Sequence, residues 1–171
     1  MSTRNLISII IPYYRKKKYF QETIRSILNQ TYKNYEVIVI YDDACLDELE
    51  FVKSNLKKIK IKKLIINNKN YGVGISRNRG ILEARGTYLA FCDADDVWKK
   101  NKLYSQLRFM FKNNLEISYT NYLVINEKSK TIGKLKSLKR LNYNDLLKSC
   151  DIGLSTIILN KKFFNKNKFS K

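Results

Sequence analysis

Three carboxylates stand within four residues at Asp93-Ala94-Asp95-Asp96, directly after the apolar run Thr87 to Cys92. Like charges crowded in this way raise the free energy of the ionised cluster unless a cation offsets them. Alternation along an extended segment sets Asp93 and Asp95 on the same side. Two carboxylates so placed suit a hard divalent ion, which takes oxygen ligands and keeps water or phosphate oxygens in its remaining positions. The competing reading is an acidic turn that caps the following helix, since Asp is a favoured N-cap residue. The segment Phe91 to Asp96 weighs evenly between the two.

Other clusters could also do chemistry. Asp42-Asp43 ends the run Glu36 to Tyr41. An ionised Asp there accepts a hydrogen bond from an imide N–H such as N3–H of uracil, or it caps a helix starting near Leu46. The stretch Asn70 to Gly80 is rich in glycine and opens a helix. Its glycines permit close backbone approach, and Arg77 and Arg79 offer forked donors to phosphate. Its glycine spacing, and its place after a third strand, separate it from the dinucleotide-binding fingerprint. Tyr13 and Tyr14 are placed either to stack on a base or to pack at the edge of a core.

The elements that position these clusters alternate in type. Leu6 to Ile11 is an apolar run broken by Pro12, Glu36 to Tyr41 a second, Lys63 to Ile66 a third strand and Thr87 to Cys92 a fourth. Helical spacing recurs from Phe20 to Leu28, Leu46 to Leu56, Gly74 to Ala84 and Lys99 to Phe111. Repeated strand-helix units predict a doubly wound α/β sheet, mostly parallel, with helices on both faces. Ligands of such sheets bind beyond the carboxyl ends of the strands, where the polar clusters fall. From Ile117 the pattern loosens. Ile117 to Ile125 alternates weakly, Lys128 to Arg140 reads as a hairpin or loop, Tyr143 to Cys150 as a short helix and Ser155 to Leu159 as a last strand. We expect one domain over residues 1–171.

Composition excludes some chemistry. Histidine is absent, which removes Ser-His, Cys-His and His-metal sites. Cys45, Cys92 and Cys150 lack metal-site spacing and read as reduced thiols. No apolar run approaches the ~20 residues of a membrane span, and no signal-peptide pattern opens the chain, so a cytoplasmic location is expected. The formal charge of +19 attracts anions in general. Nucleic acid is disfavoured as a partner, because the aromatic residues are not interleaved with the lysines as a stacking platform requires. An anionic membrane surface at the inner face is compatible with the charge and with Lys161-Lys162-Phe163-Phe164.

Five ordered motifs carry a resemblance. They are Ser8 to Tyr14, Ser26 to Tyr32, Glu36 to Asp43, Asn70-x-Gly72 with Ser76-Arg77-Asn78-x-Gly80, and Gly86 to Trp98. In this order they resemble the nucleotide-sugar-binding portion of family 2 glycosyltransferases of the GT-A fold. The match is close over residues 6–111 and looser over 112–171, a partial acceptor-side region. Such a chain would be a GT-A domain that is short at its C-terminal end.

The resemblance implies a nucleotide-diphospho-sugar donor, in particular a UDP-sugar, and transfer with inversion to a saccharide or lipid-linked acceptor in surface-polysaccharide synthesis. Pro12 and Tyr13 would lie along the nucleobase, Asp43 would accept from the uracil imide, and Arg77 would face the base or diphosphate. Asp93 would contact the ribose or a metal-bound water, and Asp95 would bind Mg or Mn. Asp96 and Trp98 would flank the acceptor entrance. Two departures stand out. Asp42-Asp43-Ala44-Cys45-Leu46-Asp47 replaces the usual Asp-Asp-Gly-Ser-x-Asp, and no Glu-Asp pair opens a downstream helix. Asp151 is the one candidate for the catalytic base. The alternative is a donor-binding, catalytically inactive domain that lacks the base.

Overall fold

The computed structural model describes residues 5–60, 62–136, 144, 152–165 and 169. Four strands, β1 (Ile7–Tyr13), β2 (Tyr35–Tyr41), β3 (Lys62–Ile66) and β4 (Tyr88–Phe91), alternate with three helices, α1 (Lys17–Leu28), α2 (Leu46–Leu56) and α3 (Val73–Glu83). Helix α4 (Lys102–Lys112) leads to β5 (Ile117–Ser118), then to the hairpin strands β6 (Tyr122–Ile125) and β7 (Thr131–Leu135). A 3₁₀ turn at Leu154–Thr156 precedes β8 (Ile158–Asn160), and a second follows at Lys161–Asn165.

The main sheet has the order β3-β2-β1-β4-β8-β5, with β6 and β7 forming a separate ladder. β3, β2, β1 and β4 are parallel, whereas β8 runs antiparallel to both β4 and β5. Strand order therefore reverses at the β1/β4 boundary, and crevices for ligands open at such a reversal. This is the mostly parallel α/β sheet expected from the repeated units, except at its last strand. The run Ser155 to Leu159 is half 3₁₀ turn, and β8 starts three residues later.

Period-two alternation sorts the core onto two faces. Ile7, Ile9, Ile11, Tyr13, Val37, Val39, Tyr41, Ala90 and Cys92 face α1, α2 and α4. Ile10, Ile38, Ile40, Leu89 and Phe91 face the opposite way, against Ile81 of α3 and the rings of Phe164 and Phe169. β1, β2 and β4 are thus buried on both sides, which explains their apolar runs.

β1 continues through Pro12 to Tyr13, beyond the break the proline signals. The even-numbered residues of β1 bond toward β4, as Tyr88 N–H to Leu6 O and Cys92 N–H to Ile10 O show. Pairing with β4 ends at Ile10↔Phe91, so the donor that Pro12 lacks has no ladder partner to miss.

Candidate functional site

The carboxyl ends of β1, β2 and β4 carry the expected clusters, and the structure separates the two members of the first acidic pair. Asp42 is buried and builds a loop. It accepts from Asn67 Nδ2 at 2.6 Å and from the backbone N–H groups of Tyr71 and Gly72, each at 2.9 Å. Gly72 sits at φ +86°, a left-handed conformation that an L side chain resists, and there it caps the start of α3. Asp42 is therefore the reason the glycine-rich loop closes where it does.

Asp43 is different. Its side chain is 7% exposed and Oδ1 accepts from the N–H of Ala44 at 2.7 Å. Its Oδ2 is buried with no hydrogen-bond partner among the described residues. The nearest cation is Arg15 Nε at 3.5 Å, on a side chain that is 70% exposed. A buried carboxylate oxygen without a donor carries a desolvation penalty of ~1–3 kcal/mol, which an incoming N–H would relieve.

The second cluster meets cations from other elements. Arg77, near the start of α3, donates through Nη2 to Asp93 Oδ1 at 2.7 Å, while its Nε is buried without a hydrogen-bond partner among the described residues. The Phe169 ring lies 5.7 Å from the guanidinium. Lys16, just before α1, donates to Asp95 Oδ2 at 2.6 Å, and that bond holds the Lys16 ammonium above its ordinary range. Burial pushes the Asp96 carboxyl up; a bond from Ser155 opposes this, the charges of Asp93 and Asp95 add to it and Lys16 offsets it. Ser155 Oγ also accepts from Asp93 N–H at 2.9 Å, so one hydroxyl from beyond α4 grips the acidic loop twice. Trp98 closes the loop from below, donating through Nε1 to Ser155 O at 3.0 Å. Lys102 lies 4.4 Å from the Trp98 ring centre, where burial lowers its ammonium to about 7.

Asp93, Asp95 and Asp96 line a cleft of about 570 Å³ with Lys16, Tyr19 and the β6–β7 hairpin. Among the described residues no three His, Cys, Asp or Glu side chains converge on one point. Two half-exposed carboxylates on one cleft wall nevertheless fit Mg or Mn, which keep water and phosphate oxygens in most positions. Arg77 and Lys16 set a positive charge against each of the two carboxylates.

Measured against the expectations, Arg77 pairs with Asp93 in the loop that also carries Asp95, and Asp43 follows β2, separated from β4 by β1. Of the two readings of the Tyr13 ring, packing is the one the structure shows. The ring is fully buried, 4.9 Å from Phe20 and 5.5 Å from Tyr41, with the hydroxyl donating to Glu48 at 2.5 Å. Because β1 extends past Pro12, alternation turns Tyr13 inward, and Tyr14 is the exposed ring at this edge. Tyr13 could meet a base only through its main chain. Asp151, Cys150 and nearly all of the helix expected at Tyr143 to Cys150 lie outside the described residues. Lys16 and Ser155 were not singled out from sequence: one is a lysine among 34 Lys and Arg, the other a serine 62 positions from its partner.

The model for the family described as Glycosyl transferase family 2 matches residues 8–171. The chain belongs to that family. A relative from Escherichia coli, the UDP-Glc:alpha-D-GlcNAc-diphosphoundecaprenol beta-1,3-glucosyltransferase WfgD, is 38% identical over 96% of this chain and 64% of its own length. The putative teichuronic acid biosynthesis glycosyltransferase TuaG of Bacillus subtilis is 31% identical over 92% of this chain and 63% of its own length. The chain thus spans somewhat under two thirds of these curated relatives. Among solved structures, S. aureus TarS 1-349 in complex with UDP-GlcNAc superposes with a TM-score of 0.75 at 22% identity, covering 94% of this chain and 47% of that one. The fold is GT-A.

Proposed function

We propose that the chain binds a UDP-sugar at the carboxyl ends of β1, β2 and β4 and transfers the sugar, with inversion, to a saccharide or lipid-linked acceptor. The observation that carries this reading is Asp43 Oδ2, a buried acceptor with no donor of its own among the described residues. Uracil N3–H is a donor of the matching kind. Arg77, with a buried Nε still to be bonded, holds Asp93, and a diphosphate or ribose would lie beside that pair. Relatives whose names specify UDP-Glc, and a TarS structure solved with UDP at 27% identity, support the choice of nucleotide.

A divalent ion held by Asp95 and Asp93 would supply Lewis-acid stabilisation to the departing nucleoside diphosphate. The chain's own residues do the rest. Asp42 shapes the glycine loop, Arg77 orients Asp93, and Ser155 holds the acidic loop in register. Asp151 stays the candidate for the base that takes the acceptor's proton.

Calorimetric titration of UDP, with and without Mn, tests this reading. Binding should require Mn, and Asp95→Asn should abolish that requirement together with most of the affinity. CDP, which presents an acceptor at N3 where UDP presents a donor, should bind at least ~10-fold more weakly. Equal affinity for UDP and CDP would remove Asp43 from the site and the uridine assignment with it. Binding without turnover of a UDP-sugar would reduce the chain to a donor-binding domain.

A further inference from the structure

The β6–β7 hairpin stands apart from the main sheet and shows an unusual surface. Tyr122 pairs with Leu135 and Val124 with Gly133 on one face, and Leu123 pairs with Lys134 on the other. Leu123, Val124, Ile125, Ile132 and Leu135 are all exposed, Ile132 by 66%. Lys128, Lys130, Lys134 and Lys136 are exposed around them. Glu127 is the single acid between Tyr122 and Lys136, and Lys18 neutralises it at 2.7 Å. Ser129 ties the turn to Glu22 of α1. The result is an aliphatic ribbon fringed by positive charge, fixed to the body beside the acidic cleft that it also lines.

We infer that this hairpin docks the protein on an anionic phospholipid bilayer. Aliphatic side chains gain by entering the boundary between headgroups and acyl chains, and lysines beside them gain from the negative surface potential. Free polyanions would satisfy the lysines but leave the aliphatic residues in water. No helix among the described residues is long and apolar enough to cross a membrane, so contact is from the surface. The basic aromatic segment Lys161 to Phe164 offers a smaller surface of this kind, with Phe163 exposed but Phe164 not. Phe164 turns inward onto Phe91 with ring centres 6.0 Å apart, and Lys162 is paired with Glu116 at 2.7 Å. Docking through the hairpin sets the mouth of the cleft at the lipid face. A lipid-linked acceptor would present its sugar there, a consequence that rests on the donor reading above.

Co-sedimentation of the intact chain with vesicles, without nucleotide, decides the matter. Vesicles of equal parts phosphatidylcholine and phosphatidylglycerol should bind it, and phosphatidylcholine alone should not. Ile132→Ser with Leu135→Ser should lower the partition coefficient by ~10-fold or more, with thermal midpoint and UDP affinity unchanged. Ile132→Trp should shift its emission to the blue on adding the anionic vesicles. No binding, or binding that the double serine variant leaves intact, would overturn the proposal, the latter by assigning attraction to the +19 charge alone. Vesicle binding without UDP binding would sink the donor reading and leave the docking surface standing.

Discussion

The two ends of one sheet use the same residue types for opposite purposes. At the amino end, Glu36 is buried with a side chain 4% exposed, and both of its oxygens are bonded. Ser8 Oγ donates to Oε1 at 2.6 Å, Arg85 N–H to the same oxygen at 2.7 Å, and Arg85 Nε to Oε2 at 3.0 Å. Gly86 N–H donates to Ser8 Oγ at 2.8 Å and completes the knot. At the carboxyl end, Asp43 is nearly as buried but keeps one oxygen unbonded, and Arg77 keeps a buried N–H. A satisfied buried carboxylate is scaffold. One left with open bonding capacity has room for a donor from outside.

Substitutions should therefore divide by end, those at the amino end moving stability and those at the carboxyl end moving binding. The largest effect is expected at Gly86→Ala. An added Cβ would lie 2.6 Å from Leu6 O and 2.7 Å from Ser8 N, backbone atoms that cannot step aside. A loss of ~3 kcal/mol, read from urea unfolding, is expected, with UDP affinity unchanged in whatever fraction stays folded.

Glu36→Gln comes next, at about 2 kcal/mol, because charge-assisted bonds become neutral and one donor must oppose another. This position also carries a pH signature. Burial alone would raise the Glu36 carboxyl, but the bonds from Ser8 and Arg85 win and hold it below 4.5. The folded state thus binds its proton less readily than the unfolded chain. That contribution is complete above the unfolded value and disappears as pH falls through the folded one. Acid titration of the melting point should show a steeper fall below pH 4.5 in the wild type than in Glu36→Gln.

At the other end, Asp43→Asn should weaken UDP by ~10-fold while leaving the melting point level or slightly higher, as expected where stability has been given up for a site. If it destabilises as much as Glu36→Gln does, the contrast between the ends collapses. The smallest change in stability is expected from Lys16→Met. Its pairing with Asp95 is partly exposed, at 43% and 35%, and such pairs contribute ~0–1 kcal/mol. The same substitution should tighten Mn binding, since a competing cation leaves Asp95. Weaker Mn binding would instead make Lys16 a partner of the diphosphate.

Much of this was legible in the residues. Unbroken aliphatic runs announced β1, β2 and β4 because a strand covered on both faces has no polar side to show. The acidic loop was legible because like charges at a strand end need a reason. Two things were not. The choice between stacking and packing for Tyr13 stayed open because a proline ordinarily ends a strand, and only the register with β4 reveals that this one breaks no bond. Lys16 and Ser155 reach the acidic loop through tertiary geometry, from 79 and 62 positions away, and neither residue type is distinctive in a chain so rich in lysine. The exposed hairpin lay within the weak alternation from Ile117 and the lysine-rich run after it. Short strands paired only with each other leave a faint pattern.

The insertion of β8 between β4 and β5 also sets a clock. The ribosome delivers Ser155 on the order of 3–12 s after Asp93, at 5–20 residues per second over the 62 intervening steps. For that interval the nascent chain holds Tyr88-Leu89-Ala90-Phe91 as a bare edge, a template that any other extended segment can pair with. The strand that finally seals this edge arrives just behind the hydroxyl that grips the acidic loop. Covering of the β4 edge and gripping of the acidic loop therefore come in the same moment of synthesis.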